Sequence, residues 1–375
     1  MTVVLVDPSR FTQPYDVGLS RGLIAAGLRI LWATRPLRYG EPEQLPEGTV
    51  RDFFYRRFDR PDLLPSFLRG PAKGFSHIAG LFKLMALARR ENAGAIHFQW
   101  TILPIFDALA MQVMKRRSKI VLTVHDTIPF NGEKISTLQN LGFDLPIRVA
   151  DAVIVHTETA ARRLIERGHV AGKMHVIPHG PLTINVEMPI RAPRDADEPW
   201  VFTLFGQIKP YKGLDILVEA VSRVKERLAG RARVIVAGAA YMDIEPVRQE
   251  IARSGITDLI ELRIGRLSEE EMAQLFADTD CFVFPYRQID ASGVYYLTAP
   301  LGKWMIASKV GIFADNVLDG LNGDTIPVND PETLAEALVN CAVKRPLPDR
   351  GTAAPSWDTI GEKTCALYQI SPVGE

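Results

Sequence analysis

VFTLFGQIKPYKGLDILVEAVSRVKERL, residues Val201–Leu228, decides the fold. Val201–Phe205 is a short apolar run, the right length for a strand buried on both faces and too short for a helix. Gly206 ends it, a short loop carries Lys209 and Lys212, and the stretch after Gly213 reads as an amphipathic helix over Leu214–Leu228. The same strand–loop–helix unit repeats outward in both directions. Towards the C-terminus, Arg233–Ala237, Leu259–Leu262, Cys281–Phe284 and Trp304–Ala307 are strand candidates, with a helix at Glu269–Ala277. Towards the N-terminus, strand candidates are Ala152–Val155, Ile120–Val124, Ala95–Phe98, Arg29–Trp32 and Val3–Val6, with helices near Glu158–Arg167 and Val17–Ala26. A βαβα order of this kind predicts an α/β chain of parallel, doubly wound sheets with helices on both faces.

The 375 residues suggest two such domains. Met188–Trp200, MPIRAPRDADEPW, breaks the alternation with three prolines and five charges and reads as a linker. Two Rossmann-like halves facing across a cleft are expected, with ligands at the carboxyl ends of the strands.

Composition narrows the function. Lys plus Arg and Asp plus Glu both number 44, so the net charge is zero and there is no global attraction to nucleic acid. Three distant cysteines form neither a disulfide framework nor a CxxC zinc pair. The opening MTVVLVDPSR lacks a basic region before its apolar run, and no apolar stretch reaches ~18 residues, so a cytoplasmic protein is expected. No Walker A loop, GxSxG elbow, HExxH pair or early GxGxxG occurs, against NTPase, hydrolase, zinc-protease and dehydrogenase readings.

Three segments carry chemistry. In Phe205–Gly213, Lys209 and Lys212 stand just past a strand end, where their ammonium groups can neutralise phosphate oxygens; as ordinary surface lysines of a βα loop they would do nothing. In Pro285–Pro300, Ser292-Gly293-Val294 opens a helix whose first N–H groups suit an anion, and Asp290 is either a ligand or a helix cap. In Val121–Pro129, His125 follows a strand of the first half. His97, His156 and His179 also follow strands and are expected to be hydrogen-bonded structural groups.

In this order and spacing, IVLTVHDTIP, ADAVIVHTETAARRLIERG, KMHVIPHG, FGQIKPYKGLDILVEA, ADTDCFVFPYRQIDASGV, IASKVGIFADNV, NDPETLAEAL and SWDTIGEKTCALYQI resemble the family-4 retaining glycosyltransferases of GT-B architecture (glycosyl transferases group 1). The resemblance implies an N-terminal acceptor domain at 1–185, a linker at 186–199, a donor domain at 200–353, and a C-terminal helix at 354–375 crossing back to the first domain. It implies transfer of a sugar from a nucleotide-diphosphate donor to an acceptor hydroxyl with retained configuration and no metal or other cofactor. Lys212 would contact the diphosphate, the amides of Gly293 and Val294 would receive it, and His125 would lie near the donor sugar. With Asp290, Lys212 and His125 form the implied catalytic set. Gly206, Gln207, Lys209, Ser292 and Thr298 complete the donor site. Tyr15, Asp16, Gln99 and Trp100 are the acceptor candidates. Three positions depart from the family pattern: Gln207 stands where Arg is usual, and Asp290 and Thr298 stand where two glutamates are usual. These departures keep an inactive nucleotide-sugar-binding subunit in view, and a sugar-nucleotide 2-epimerase shares the architecture.

Residues 51–90 hold nine basic and three acidic residues, with Phe53, Phe54, Tyr55, Phe58, Phe67, Phe75 and Phe82 interleaved. This is either a solvated loop and helix or a surface for the inner face of a membrane and a polyprenyl-linked glycan acceptor, as in exopolysaccharide assembly.

Overall fold

The computed structural model describes residues 1–56, 66–127, 141–192, 194–195, 197–349 and 355–369. The chain forms two compact units, Met1–Gly180 with Pro355–Glu375 and Pro181–Ala354.

The first unit holds strands β1 (Thr2–Asp7), β2 (Arg29–Thr34), β3 (Val50–Asp52), β4 (Ala95–Phe98), β5 (Lys119–Thr123), β6 (Ala152–Val155) and β7 (Met174–Val176). They pair in parallel, in the order β3-β2-β1-β4-β5-β6-β7. Alternation in β1 explains the two-sided burial. Val4 and Val6 enter a core with helices Ser66–Arg90, Pro104–Met114 and Glu158–Glu166, while Val3 and Leu5 enter a second with helices Gln13–Ala25 and Trp357–Gln369.

Those last two helices cross closely because both are small at the crossing. A Cβ on Gly22 would lie 2.0 Å from the Trp357 carbonyl oxygen, and one on Gly361 would lie 2.2 Å from the Gly22 carbonyl carbon. The Trp357 ring is wedged between Gly18 and Gly180, where added Cβ atoms would come within 2.1 and 2.5 Å of it. Ile360, Leu367 and Tyr368 complete the core.

The second unit holds β8 (Trp200–Phe205), β9 (Ala232–Gly238), β10 (Ile260–Ile264), β11 (Cys281–Phe284), β12 (Trp304–Ser308) and β13 (Gly323–Ile326). They form a parallel sheet in the order β10-β9-β8-β11-β12-β13. The helix expected over 214–228 is two pieces, Leu214–Arg223 and Lys225–Leu228, divided at Val224, whose φ of −124° leaves the helical range.

Residues 186–199 are not a free tether. Asn185 is held by Glu269, Arg191 pairs with Asp278, and Arg194 pairs with Asp280, so this segment is docked on the second unit. The boundary falls at Gly180/Pro181 instead. The expected basic–aromatic surface is also smaller than the sequence suggested. Phe54 and Tyr55 are buried in the first unit's core, and Phe53 packs against it. Phe75 and Phe82 are exposed. Arg57, Phe58, Asp59, Arg60, Asp62 and the Phe67 side chain lie outside the described residues.

Candidate functional site

In each unit the strand order reverses beside the first strand, and the loops there diverge to opposite sides of the sheet. That divergence opens a crevice at the strands' carboxyl ends. In the second unit the switch lies between β8 and β11, which are hydrogen-bonded neighbours. Their loops are 206–213 and 285–292.

The two loops are stitched together. The Arg287 N–H donates to the Tyr211 carbonyl at 2.7 Å, and the Arg287 guanidinium grips Asp215 (2.6 and 2.9 Å) and the Pro210 carbonyl. Gly206 has φ 111°, a left-handed backbone that favours glycine, and a Cβ there would lie 2.7 Å from Val294 Cγ2 and 3.0 Å from Lys212 Nζ. Gly206 thereby leaves room for the lysine to lie across the strand end.

Lys212 is 5% exposed. Its ammonium stands 5.1 Å from the Tyr286 ring centroid and, among the described residues, has neither a hydrogen-bond nor an ion-pair partner. Burial, with the nearby Lys209 charge, depresses its pKa from 10.5 to about 7. Lys209 lies over the Tyr241 ring at 5.5 Å. The Ser292 hydroxyl caps helix Gly293–Thr298 by accepting the Tyr295 N–H, so Asp290 is not the cap. The Gly293 and Val294 N–H groups begin that helix, where no intrahelical carbonyl can accept them, and Gly293 is exposed. Gln207 is exposed and Asp290 buried. Thr298 is fully buried, and its hydroxyl donates back to the Val294 carbonyl of its own helix at 2.8 Å.

In the first unit the switch lies between β1 and β4, and a row of side chains follows the strand ends. Asp7 closes β1, Gln99 and Trp100 follow β4, His125 follows β5, His156 follows β6 and His179 follows β7. Trp100 stacks on His125, with centroids 5.1 Å apart and planes 15° off parallel, and donates its indole N–H to Thr12 Oγ1. His125 Nε2 lies 3.3 Å from Gln99 Oε1 and His125 Nδ1 3.1 Å from His156 Nε2; His156 Nδ1 lies 3.0 Å from the Ile177 carbonyl. His97 is held between Tyr368 and Thr123, both at 2.7 Å, as a structural group. Burial drives all these imidazoles neutral: His97 and His179 are lowered to about 3, His156 to about 4, and His125 well below its usual value.

Of Tyr15, Asp16, Gln99 and Trp100, three contact His125: Tyr15 edge-on, Gln99 through its side-chain oxygen and Trp100 by stacking. Tyr15 packs among His125, His156, His179 and Trp357 with 2% exposure. Asp16 is buried against Asp7, and burial together with that neighbouring carboxylate raises its pKa well above normal. Gln99 is fully buried. Trp100 is partly exposed, and Phe11, which sequence reasoning passed over, lies edge-on to it at 5.4 Å and is 54% exposed. Among the described residues, no three His, Cys, Asp or Glu side chains converge as metal ligands.

Two Rossmann-like parallel-sheet units in one chain, with candidate groups along the carboxyl edges of both sheets, define an α/β protein of GT-B type. Comparison with known proteins agrees. Residues 199–343 match the family model described as glycosyl transferases group 1, and residues 17–181 match glycosyltransferase family 4. The chain belongs to this group 1/family 4 set of glycosyltransferases and is an enzyme of that class. It is 24% identical over 353 residues to a D-inositol 3-phosphate glycosyltransferase of Thermobispora bispora, covering 86% of this chain and 79% of that protein. With the protein of the same description from Streptosporangium roseum, identity is 25% over 219 residues, 54% of this chain and 49% of the relative, so the chain spans about half of that relative's length. Among solved structures, Anabaena HepE in complex with UDP and glucose superposes with a TM-score of 0.69 at 19% identity, over 97% of this chain and 95% of that one.

Proposed function

We propose that this glycosyltransferase moves a sugar from a nucleotide-diphosphate donor, held by the second unit, to an acceptor hydroxyl bound by the first. Lys212 carries the reading. A buried ammonium without a counter-charge, half-protonated near neutrality, is poised for an anionic ligand. Lys212 and the Gly293 and Val294 amides would stabilise charge developing on the leaving diphosphate, usually the largest catalytic contribution. The UDP bound to the similar Anabaena structure supports a nucleotide ligand.

Configuration would be retained by attack on the face the diphosphate leaves, the departing phosphate oxygen taking the acceptor's proton. His125 would position the donor sugar and Asp290 a sugar hydroxyl, with no metal or other cofactor. Lys212→Ala is expected to lower kcat/KM for the nucleotide sugar by roughly 10²–10³; a near-normal rate would overturn the assignment. Activity should persist in EDTA, and the product's anomeric signal by NMR should match the donor's configuration. A thermal-shift panel of nucleoside diphosphates identifies the base.

For the acceptor we favour a lipid-linked glycan presented at the cytoplasmic face of a membrane. Helix Ser66–Arg90 supports this with an exposed stripe of Phe75, Ala79, Phe82 and Ala86, flanked by exposed Lys83, Arg89 and Arg90. Among the described residues no helix is long and apolar enough to cross a membrane. A free phosphorylated polyol, as named for the Thermobispora relative, is the competing acceptor. Turnover on a soluble polyol phosphate but not on a lipid-linked glycan would decide for it.

A further inference from the structure

The chain of rings behind His125 fixes where its proton sits. Ile177 O has lone pairs and no hydrogen, so His156 Nδ1, 3.0 Å away, carries the hydrogen and donates it. His156 is buried and held neutral, so its Nε2 is bare. That bare nitrogen lies 3.1 Å from His125 Nδ1, and two facing ring nitrogens hold one hydrogen between them, which therefore belongs to His125 Nδ1. His125 is neutral as well, which leaves its Nε2 with a lone pair. The Gln99 amide stands with its oxygen 3.3 Å from this nitrogen and its NH₂ 3.3 Å from His97 Nε2. The amide's oxygen and nitrogen exchange places by a half-turn, and a bare His125 Nε2 requires that half-turn, NH₂ towards His125 and oxygen towards His97. With the Gln99 amide so turned, the chain runs in one direction: Gln99 donates to His125, His125 to His156, and His156 to Ile177 O.

We infer that His156 is a positioning residue: anchored on the Ile177 carbonyl, it holds His125 as the tautomer whose Nε2 accepts a hydrogen bond. A ligand group taken by His125 is then a hydrogen-bond donor, a sugar hydroxyl, and not a phosphate oxygen, a carboxylate or a carbonyl. The Gln99 contact at Nε2 is the longest in the chain and the one a substrate hydroxyl would replace. Trp100, stacked on the ring face, keeps the imidazole plane from turning. The inference rests on the glycosyl-transfer reading for its consequence, but the tautomer itself does not depend on it.

The test is ¹⁵N NMR of the full-length, histidine-labelled protein at pH 7, with steady-state kinetics on the same samples. Wild-type His125 should show a protonated Nδ1 and a bare Nε2. In His156→Phe the Nδ1–H loses its acceptor, so the proton should move to Nε2 and bond the Gln99 carbonyl oxygen, and kcat should fall at least tenfold with KM for the donor little changed. His156→Gln places an amide oxygen near the former Nε2 position and should restore both the tautomer and most of kcat. A merely structural role for His156 would leave the His125 tautomer unmoved and would not distinguish these substitutions by their hydrogen-bond acceptor. A wild-type His125 protonated at Nε2 overturns the inference, as does His156→Phe with unchanged tautomer and kcat. Should His156→Phe fail to fold, the wild-type and His156→Gln spectra still decide. A wild-type protein with the expected tautomer and no glycosyl transfer would instead remove the proposed function and leave the ring chain standing.

Discussion

At the scale of single residues, Lys212 sets stability against binding. Its pKa of about 7 in the folded protein, below the ordinary 10.5, means that the unfolded chain binds more protons between those two values. Stability therefore rises with pH across that window, and the destabilisation is fully present below pH 7. Lys212→Met, which keeps the stem and removes the charge, is expected to stabilise the ligand-free protein by about 1–2 kcal/mol while abolishing nucleotide-sugar binding; calorimetric melting and isothermal titration read the two halves. In the parent protein, affinity for a nucleotide sugar should be level below pH 7 and weaken above it by up to about tenfold per unit, with proton uptake visible in buffers of different ionisation enthalpy. Gly293→Ala gives a complementary outcome. A Cβ there would meet Leu182 Cδ1 at an ordinary 3.6 Å, so the melting temperature should hold while donor affinity drops, because the methyl occupies the approach to the amide.

At the scale of elements, helix Ser66–Arg90 and the Gln13–Ala25/Trp357–Gln369 crossing each make a prediction. Phe75→Ser with Phe82→Ser should leave folding intact, since both side chains are largely exposed, and should abolish co-sedimentation with anionic liposomes. Binding by the parent that ignores lipid charge, or no binding at all, would remove the membrane surface. At the crossing, Gly361→Val forces a branched side chain into the Gly22 backbone and should cost about 1–3 kcal/mol or more, read by chemical denaturation. The same elements explain what the sequence made legible. Runs such as Val3–Val6 and Cys281–Phe284 are apolar on both faces and announce central strands. β3 (VRD) and β13 (GDTI) lie at sheet edges with polar side chains and carry no such signal. The proline and charge count of Met188–Trp200 suggested a tether because it could not show that Arg191 and Arg194 find carboxylates some 85 residues further on. The lysine loop, Ser292 and Gly293 were legible because loop and helix-start chemistry is local. The His156–His125 pairing was not, because it depends on how β5 and β6 set their end residues side by side, nor was Thr298, whose helix turns its hydroxyl inward.

At the scale of the molecule, neutral net charge conceals an uneven distribution, and sequence order conceals a discontinuous unit. A variant ending at residue 354 loses the helix that supplies Ile360, Leu367 and Tyr368 to the first unit's core and the hydroxyl that holds His97. It should show the first unit's melting transition lowered or lost and the second unit's retained. The slot formed by Gly18, Gly180, Tyr15 and His179, which Trp357 fills, has a consequence in time. On a ribosome adding ~5–20 residues per second, roughly ten to thirty-five seconds pass between the emergence of Gly180 and that of Trp357. Throughout that interval the nascent first unit carries an open, aromatic-lined groove while the second unit is being made. The histidine row beside the groove acquires its final packing only once Trp357 has emerged, so a chain stalled or released before that point exposes the apolar groove to chaperones and proteases.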